Sequence, residues 1–512
     1  MPISVSKREW ILIITFVAVK IGLHLSTSTN YELHRDALLY YSLGQHLGWG
    51  FVSVPPFIGL MAKISTVIFG ATTFGLRVFP ALVGGLSMLL VGLLVKSFKG
   101  NLAAIIFAMT AFLLSPAYLR TSSLFQPVVF NQFFWLLSGL LIVQLILSRN
   151  EKLWMLIFLV FGIGFMNKYS ITFFMMGFFI AFLISPHRKV IWSKYFLLGG
   201  LLFTGIVLPN LIWQGTHGWP VVYHMAELQR TQLIHVSILG FLIAQLTMNL
   251  PGIIVWVSGL IGFLFIKQYR NYRFISLFVF YTIAILVLLR GKAYYTLGLY
   301  PILFAMGGVV IENHFKKGLQ YAIAALVLMV SLPLIPMAMP ILKHNQLEAA
   351  TKPLAPFFNG WEDGEIHSIP QDFADMTGWK HLGHLVNQCY DNMSEHEKET
   401  CVIFADNYGI AGSVLFYGQN HLPDPISFND SFILWAPDSV ETDHCLIYVN
   451  HELGGDVAQM YRSCKLYGEV NDPYFRENGL KVYFCTQPED SVPRYYANRV
   501  HGFKKRYFPT KK

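Results

Sequence analysis

The chain has 512 residues, of which 54% are hydrophobic, 15% aromatic and 13% charged, with a mean hydropathy of +0.48. A soluble protein carries about 25% charged residues, so half that value with repeated long apolar runs excludes an ordinary soluble domain and describes a polytopic membrane protein. The net charge of +9 is no nucleic-acid signal, because it is unevenly divided. Residues 1–344 hold 24 of the 38 Lys and Arg but only 6 of the 29 Asp and Glu, whereas residues 345–512 hold 14 and 23. Composition therefore divides the chain into a membrane domain, 1–344, and a soluble domain, 345–512.

Taken in chain order, residues 10–28 are apolar for too long to be a signal-peptide core and have no small-residue cleavage site, so they read as a retained first span. Ten more spans are expected at 78–95, 102–118, 128–147, 153–167, 171–186, 195–213, 250–266, 274–290, 296–311 and 319–340. The intervening loops alternate in charge. Lys7/Arg8, Lys96/Lys99, Arg149/Lys152, Arg188/Lys189/Lys194, Lys267/Arg270/Arg273 and Lys316/Lys317 mark the cytoplasmic set, because basic loops stay inside. Eleven spans then put the N-terminus in the cytoplasm and the tail outside. Three apolar pieces are too short to cross: 36–48, 57–70 and 236–249. They are expected to lie as interfacial or re-entrant helices on the outer face.

The tail loses the long apolar runs. Short strand-like runs start at Cys401 (CVIFAD), Cys445 (CLIYVN) and Leu480 (LKVYFC), with helix-like stretches at 378–394 and 454–463. That alternation predicts a small α/β domain. All five cysteines, Cys389, Cys401, Cys445, Cys464 and Cys485, fall in this tail, which fits an oxidising compartment. Cys389 with Cys401 and Cys464 with Cys485 are the disulfide candidates, leaving Cys445; buried free thiols are the alternative of equal weight.

Acids are so scarce in the membrane part that each can be weighed. Glu9, Glu151 and Glu312 sit beside cytoplasmic basic clusters and read as surface charges, and Glu32 and Glu227 as outer surface residues. Asp36, in YELHRDALLYY at the head of an amphipathic stretch, is the candidate general base; as an N-cap it would have a purely structural role. Outward-facing cations form a second group: Arg35, Arg77, Arg120, Lys168, Arg230, Arg290 and Lys292. As a set they suit an anionic ligand such as a lipid phosphate, whereas any single one is equally explained by snorkelling to head groups. Lys20 falls mid-span with no partner legible in the sequence. Trp213, His217, Trp219 and His224 make an aromatic outer loop, either an interface belt or a sugar-contacting surface.

These residues carry a family resemblance. Arg35 and Asp36 lead into LLYYSLGQHLGWG; then come Pro55 and Pro56, FGLRVFPAL around Arg77, SPAYLR ending at Arg120 and LFQPVVFNQFFW from Leu124. NKYS around Lys168, PNLIWQGTHGW from Pro209, GKAYYTLGLYP from Gly291 and, in the tail, QDFADMTGW from Gln371 complete the series. In that order they resemble the bacterial members of glycosyltransferase family 39, the protein O-mannosyltransferase-like group that includes the lipid A aminoarabinose transferases. The resemblance implies a GT-C fold of about eleven transmembrane helices plus interfacial helices, with an extracytoplasmic α/β domain, in the bacterial inner membrane. It implies an enzyme that transfers a sugar from a polyprenyl-phosphate donor to a glycan, glycolipid or protein acceptor on the outer face, with inversion. Asp36 matches the catalytic base, and Lys168 and Arg77 match positions near the lipid-phosphate cavity, which Lys292, Arg120 and Arg35 would supplement. His217, Trp219 and Asn131 are weaker acceptor or sugar contacts. Two positions depart from the family pattern: Ala37 and Asn131 stand where acids are common. A divalent metal is compatible with such chemistry but unsupported by these residues. The competing readings are a sugar-lipid transporter, which would place ionisable groups and broken helices at mid-membrane, and a non-catalytic envelope assembly protein.

Overall fold

The computed structural model describes residues 3–419 and 421–509. The chain packs into two compact units. The first comprises the chain through Ser28 with Leu76–Asn210 and Arg230–Leu347; the second comprises Thr29–Gly75, Leu211–Gln229 and the chain from Glu348 onward. The compositional border at 345 is thus only one of the seams. Segments 29–75 and 211–229 fold with the tail because their backbone and side chains bond to it and to each other. The Val52 amide donates to Ser431 Oγ at 3.1 Å, the Leu33 amide to Tyr417 Oη at 2.8 Å, and Gln214 Nε2 to the Phe51 carbonyl at 3.1 Å.

The first unit is helical. Among the described residues, six helices are long and apolar enough to cross a membrane: Lys7–Ser26, Thr73–Ser97, Pro127–Ser148, Lys194–Thr216, Lys267–Leu288 and Lys317–Ala338. Ile238–Thr247 and Leu250–Phe265, bent by 76° at their break, would make a seventh crossing if they form one span. Each of the eleven expected spans overlies a helix, but five of those helices are short, so length and composition support six or seven crossings where eleven were expected. The expected interfacial piece 236–249 is the first arm of the bent pair. Small residues let helices touch: a Cβ on Gly307 would meet the Val255 carbonyl, which ties Tyr300–His314 to Ile253–Phe265. Glu9, expected as a solvated charge, is buried; it closes a capping box with Ser6 and pairs with Lys96. Lys20 finds its partners across the bundle. Its Nζ donates to the Tyr118 carbonyl at 3.1 Å and lies 3.3 Å from His24 Nε2, while His24 Nδ1 sits 3.1 Å from Ser123 Oγ.

The second unit is built on four strands: β1 (Val402–Ala405), β2 (Leu446–Asn450), β3 (Tyr461–Val470) and β4 (Leu480–Pro488). Their order is β1-β2-β4-β3, with β1 and β2 parallel and the remaining pairs antiparallel. The helix-like reading of 454–463 is corrected: a short helix, Gly455–Met460, runs directly into β3. Helices Trp379–Asp391 and Tyr408–Tyr417 pack on the sheet and on each other. Tyr408–Tyr417 also receives the helix Arg35–Gln45, where a Cβ on Gly412 would meet Leu38. Arg35–Gln45 in turn packs on Phe57–Phe69 through Gly44 and Gly59. Phe57–Phe69 follows Pro56 and stops at Gly70, whose φ of 82° ends the helix as only glycine does cheaply. It exposes Leu60, Val67 and Ile68 along an apolar face, as an interfacial helix would.

Cys464 and Cys485, register partners on β3 and β4, form a disulfide. Cys389, Cys401 and Cys445 are buried free thiols, so the expected Cys389–Cys401 bond is not made. Cys401 instead stands beside Cys445, because both residues directly precede the first register pair of β1 and β2.

Candidate active site

Asp36 lies in the first turn of Arg35–Gln45, where backbone N–H groups lack intrahelical partners. The N-cap is His34 rather than Asp36: the Asp36 amide donates to His34 Nδ1 at 3.1 Å. The Asp36 side chain is 32% exposed. Tyr408, at the start of Tyr408–Tyr417, donates its hydroxyl to Asp36 Oδ1 at 2.8 Å. Asn407 caps that helix, accepting from the Gly409 and Ile410 amides, and thereby fixes where Tyr408 begins. The Arg35 guanidinium stacks over the Tyr408 ring at 4.6 Å.

The tail motif QDFADMTGW grips the same segment. The Arg35 amide donates to the Asp375 carbonyl at 2.9 Å and the Glu32 amide to the Met376 carbonyl at 3.2 Å. His34 Nε2 faces Asp375 Oδ2 at 3.4 Å and Asp372 Oδ1 at 3.6 Å. Asp375, 1% exposed, also receives Arg476 Nη1 at 3.2 Å. Trp379 Nε1 donates to the Asp375 carbonyl at 2.7 Å.

These contacts set the protonation states. Burial alone would lower the His34 pKa, but Asp372 and Asp375, joined by the Asp36 charge, push it up to about 10. The amide cap needs an unprotonated Nδ1, so the cap and the charged imidazolium are alternative states; in the charged state Asp36 Oδ2, 3.9 Å from Nδ1, is an ion-pair partner. Burial favours the neutral form of Asp375, yet hydrogen bonding to His34 and the charges of His34, Arg476 and Arg35 hold it below the ordinary carboxylate range. Burial, with Arg35 opposing and Asp36 reinforcing, raises the Tyr408 hydroxyl well above an ordinary phenol, so it stays a donor.

The remaining predicted residues divide between the units. Arg35, His217 and Trp219 belong with Asp36 in the second unit. His217 stacks on Trp213 at 4.2 Å, and Trp219 adopts a left-handed φ of 60° next to Gly218 at 74°, a conformation unusual for an aromatic residue. Lys168, Arg77, Lys292, Arg120 and Asn131 lie in the first unit. Lys168, just past the helix Leu153–Asn167, sits 4.9 Å from the ring centroids of both Tyr294 and Tyr295. Lys292 lies two residues before Tyr294 and donates to Gln232 Oε1 at 2.6 Å. The structure thus gathers NKYS and GKAYY into one cationic, aromatic cluster.

Arg77 and Arg120 are engaged differently. Arg77 Nη1 donates to the Ser28 carbonyl at 2.7 Å; Arg120 donates to the carbonyls of Ala338 and Met337 at 2.7 and 2.8 Å. Arg120 completes the C-terminus of Lys317–Ala338, where carbonyls lack partners, and Arg77 bonds a carbonyl two residues past the end of Lys7–Ser26. Asn131 is buried and its Oδ1 has no hydrogen-bond partner among the described residues. No group of three or more His, Cys, Asp or Glu side chains is arranged to hold a metal among the described residues.

Sequence reasoning passed over Tyr408, His34, Asp375 and Arg476. QDFADMTGW marked the segment of Asp375 and YELHRDALLYY that of His34 without assigning either residue a task, and no motif marked Tyr408 or Arg476.

Residues 53–213 match the family model described as dolichyl-phosphate-mannose-protein mannosyltransferase. No curated protein sequence matches the chain. Among solved structures, ArnT from Cupriavidus metallidurans bound to undecaprenyl phosphate is similar with a TM-score of 0.63 at 11% identity, covering 94% of this chain and 100% of that one. The apo form of that ArnT gives 0.59 at 11% identity, covering 93% and 99%. The matched segment and these whole-chain likenesses show a multi-pass membrane protein with the GT-C glycosyltransferase fold.

Proposed function

We propose that the chain is an inverting glycosyltransferase that moves a sugar from a polyprenyl-phosphate donor to a hydroxyl or amine acceptor at the outer face of the cytoplasmic membrane. The observation that carries this reading is the treatment of Asp36. It is partly exposed, held through one oxygen by Tyr408 and anchored through its neighbours His34 and Arg35 to a buried ion network. A carboxylate fixed in this way is preorganised to accept a proton.

In the proposed reaction Asp36 takes the acceptor's proton as the acceptor oxygen or nitrogen attacks the anomeric carbon. The bond to the polyprenyl phosphate breaks, and the phosphate leaves as an anion. Lys168 and Lys292 are the residues assigned to its charge. Arg77 and Arg120 bond backbone carbonyls at or just past helix ends, and in this reading they rank behind the lysines as phosphate ligands. Ala37 leaves the reaction a single acid at this point of the helix, so proton transfer rests on Asp36 alone.

The test is turnover of radiolabelled polyprenyl-phosphate sugars in purified membranes, read as label lost from lipid, for wild type and Asp36→Asn at equal folded yield. Turnover in wild type that disappears in the variant supports the reading. Equal turnover removes Asp36 from the chemistry, and no turnover with any donor in the pool counts against the transferase and favours the transporter or assembly readings.

A further inference from the structure

Three buried thiols of the second unit play no part in the reaction above. Cys401 and Cys445 directly precede Val402 and Leu446, the first register partners of the parallel β1–β2 pair, and the Val402 amide donates to the Cys445 carbonyl at 2.9 Å. Register neighbours on adjacent strands share a face, and strands lie about 4.8 Å apart, inside the range of Cα separations that a disulfide spans. The two thiols are both buried at this position. Cys389, on Trp379–Asp391, is close enough to both for their charges to interact. The same sheet already carries the Cys464–Cys485 disulfide.

We propose that Cys401 and Cys445 form a second, redox-active pair that closes into a disulfide, with Cys389 left as a thiol. This rests on the reading that the second unit faces an oxidising compartment. Cys445 is assigned as the attacking group because it lies directly under the short helix Glu395–Glu399, whereas burial pushes the Cys389 thiol up to about 12. Its cover is thin. Cys445 Sγ donates to the Glu397 carbonyl at 3.1 Å, on the short helix Glu395–Glu399, whose side chains are largely solvent-facing. A local opening of that single turn admits a small disulfide oxidant such as oxidised glutathione or the disulfide of a thiol oxidase.

The step balances as ordinary thiol–disulfide exchange. The Cys445 thiolate attacks one oxidant sulfur, and the other leaves as a thiolate that is then protonated. Cys401, losing its proton, displaces the mixed disulfide and releases the second oxidant thiol. Two protein thiols are oxidised by two electrons, and one oxidant disulfide is reduced to two thiols. The bond would staple β1, an edge strand, to β2. β1 ends at Ala405 and leads within three residues to Tyr408, so it also supports the strand that presents this side chain to Asp36.

The experiment is peptide mapping of the full-length protein from native membranes, acid-quenched, denatured and alkylated with N-ethylmaleimide before digestion. The expected result is a Cys464–Cys485 crosslinked peptide, a Cys401–Cys445 crosslinked peptide and alkylation of Cys389 alone, unchanged at the crosslinks in Cys389→Ser. A closed Cys464–Cys485 bond with alkylated Cys401 and Cys445 overturns the proposal while leaving the compartment reading intact. Alkylation of all five cysteines overturns both, and a crosslink to Cys389 overturns the assigned pairing.

Discussion

The cations of the two units end on different acceptors. In the helical unit Arg77, Arg120 and Lys20 donate to backbone carbonyls, at Ser28, at Ala338 and Met337, and at Tyr118. In the α/β unit His34, Arg35 and Arg476 gather around the carboxylates of Asp36, Asp372 and Asp375. The difference follows from composition. Apart from the Glu9–Lys96 pair, a span bundle almost without acids neutralises these buried cations with backbone carbonyls near helix ends. A unit rich in acids can build full ion pairs, and it builds them behind the candidate base. Removing one partner should therefore cost little in the first unit and much in the second.

The largest expected effect is that of Asp375→Ala. It strands His34 and Arg476 without their shared carboxylate, and breaking such a buried network costs about 3–5 kcal/mol. A thermal-unfolding scan and proteolysis of the tail should both show the second unit loosened; a Tm within a degree of wild type breaks the comparison.

Next is Lys168→Met, which should raise the donor KM about tenfold, as loss of one charge-assisted contact worth ~1.5 kcal/mol implies, and leave Tm unchanged. Arg77→Ala should do the reverse, lowering stability by about 1 kcal/mol with the donor KM within twofold. If Arg77→Ala raises KM and Lys168→Met does not, the division between carbonyl-capping and phosphate-facing cations is wrong.

The comparison is sharpened by the pH dependence of His34→Gln. The folded pKa of His34 lies near 10, above the ~6.5 of an unfolded histidine, so its pairing contributes fully below about pH 6.5 and is lost as pH rises through about 10. The Tm gap between wild type and variant should therefore narrow steadily between pH 6.5 and 10. Asp375 has the opposite sign: its depressed pKa gives a contribution present above ~3.9 and lost as pH falls. A gap that widens toward pH 10 would contradict the assignment.

Much of this was legible in the sequence, and the reasons are physical. Apolar runs of the right length mark helices, so every expected span coincides with one; whether a helix of 13 residues such as Leu102–Leu114 crosses is a matter of tilt and neighbours that composition does not carry. β1, β2 and β4 were legible because each has an apolar run. β3, YRSCKLYGEV, pairs along its whole length with β4, but its half-exposed, polar pattern hides it. Asp36 stood out because acids are rare near it. Its partner Tyr408 did not, because 372 positions separate the two and a tyrosine in an apolar helix announces no task. The carbonyl partners of Arg77 and Arg120 were not legible, because a backbone carbonyl leaves no trace in a pattern of side chains.

The central claim is that Asp36 removes the acceptor proton while Tyr408 holds it in place. The most direct measurement is the single-turnover transfer rate at saturating donor for wild type, Asp36→Asn and Tyr408→Phe, each verified as folded. The account predicts a loss of about a thousandfold for Asp36→Asn, within the range of a general base, and about tenfold for Tyr408→Phe, with wild-type donor affinity in both. Rates for Asp36→Asn within threefold of wild type would contradict it.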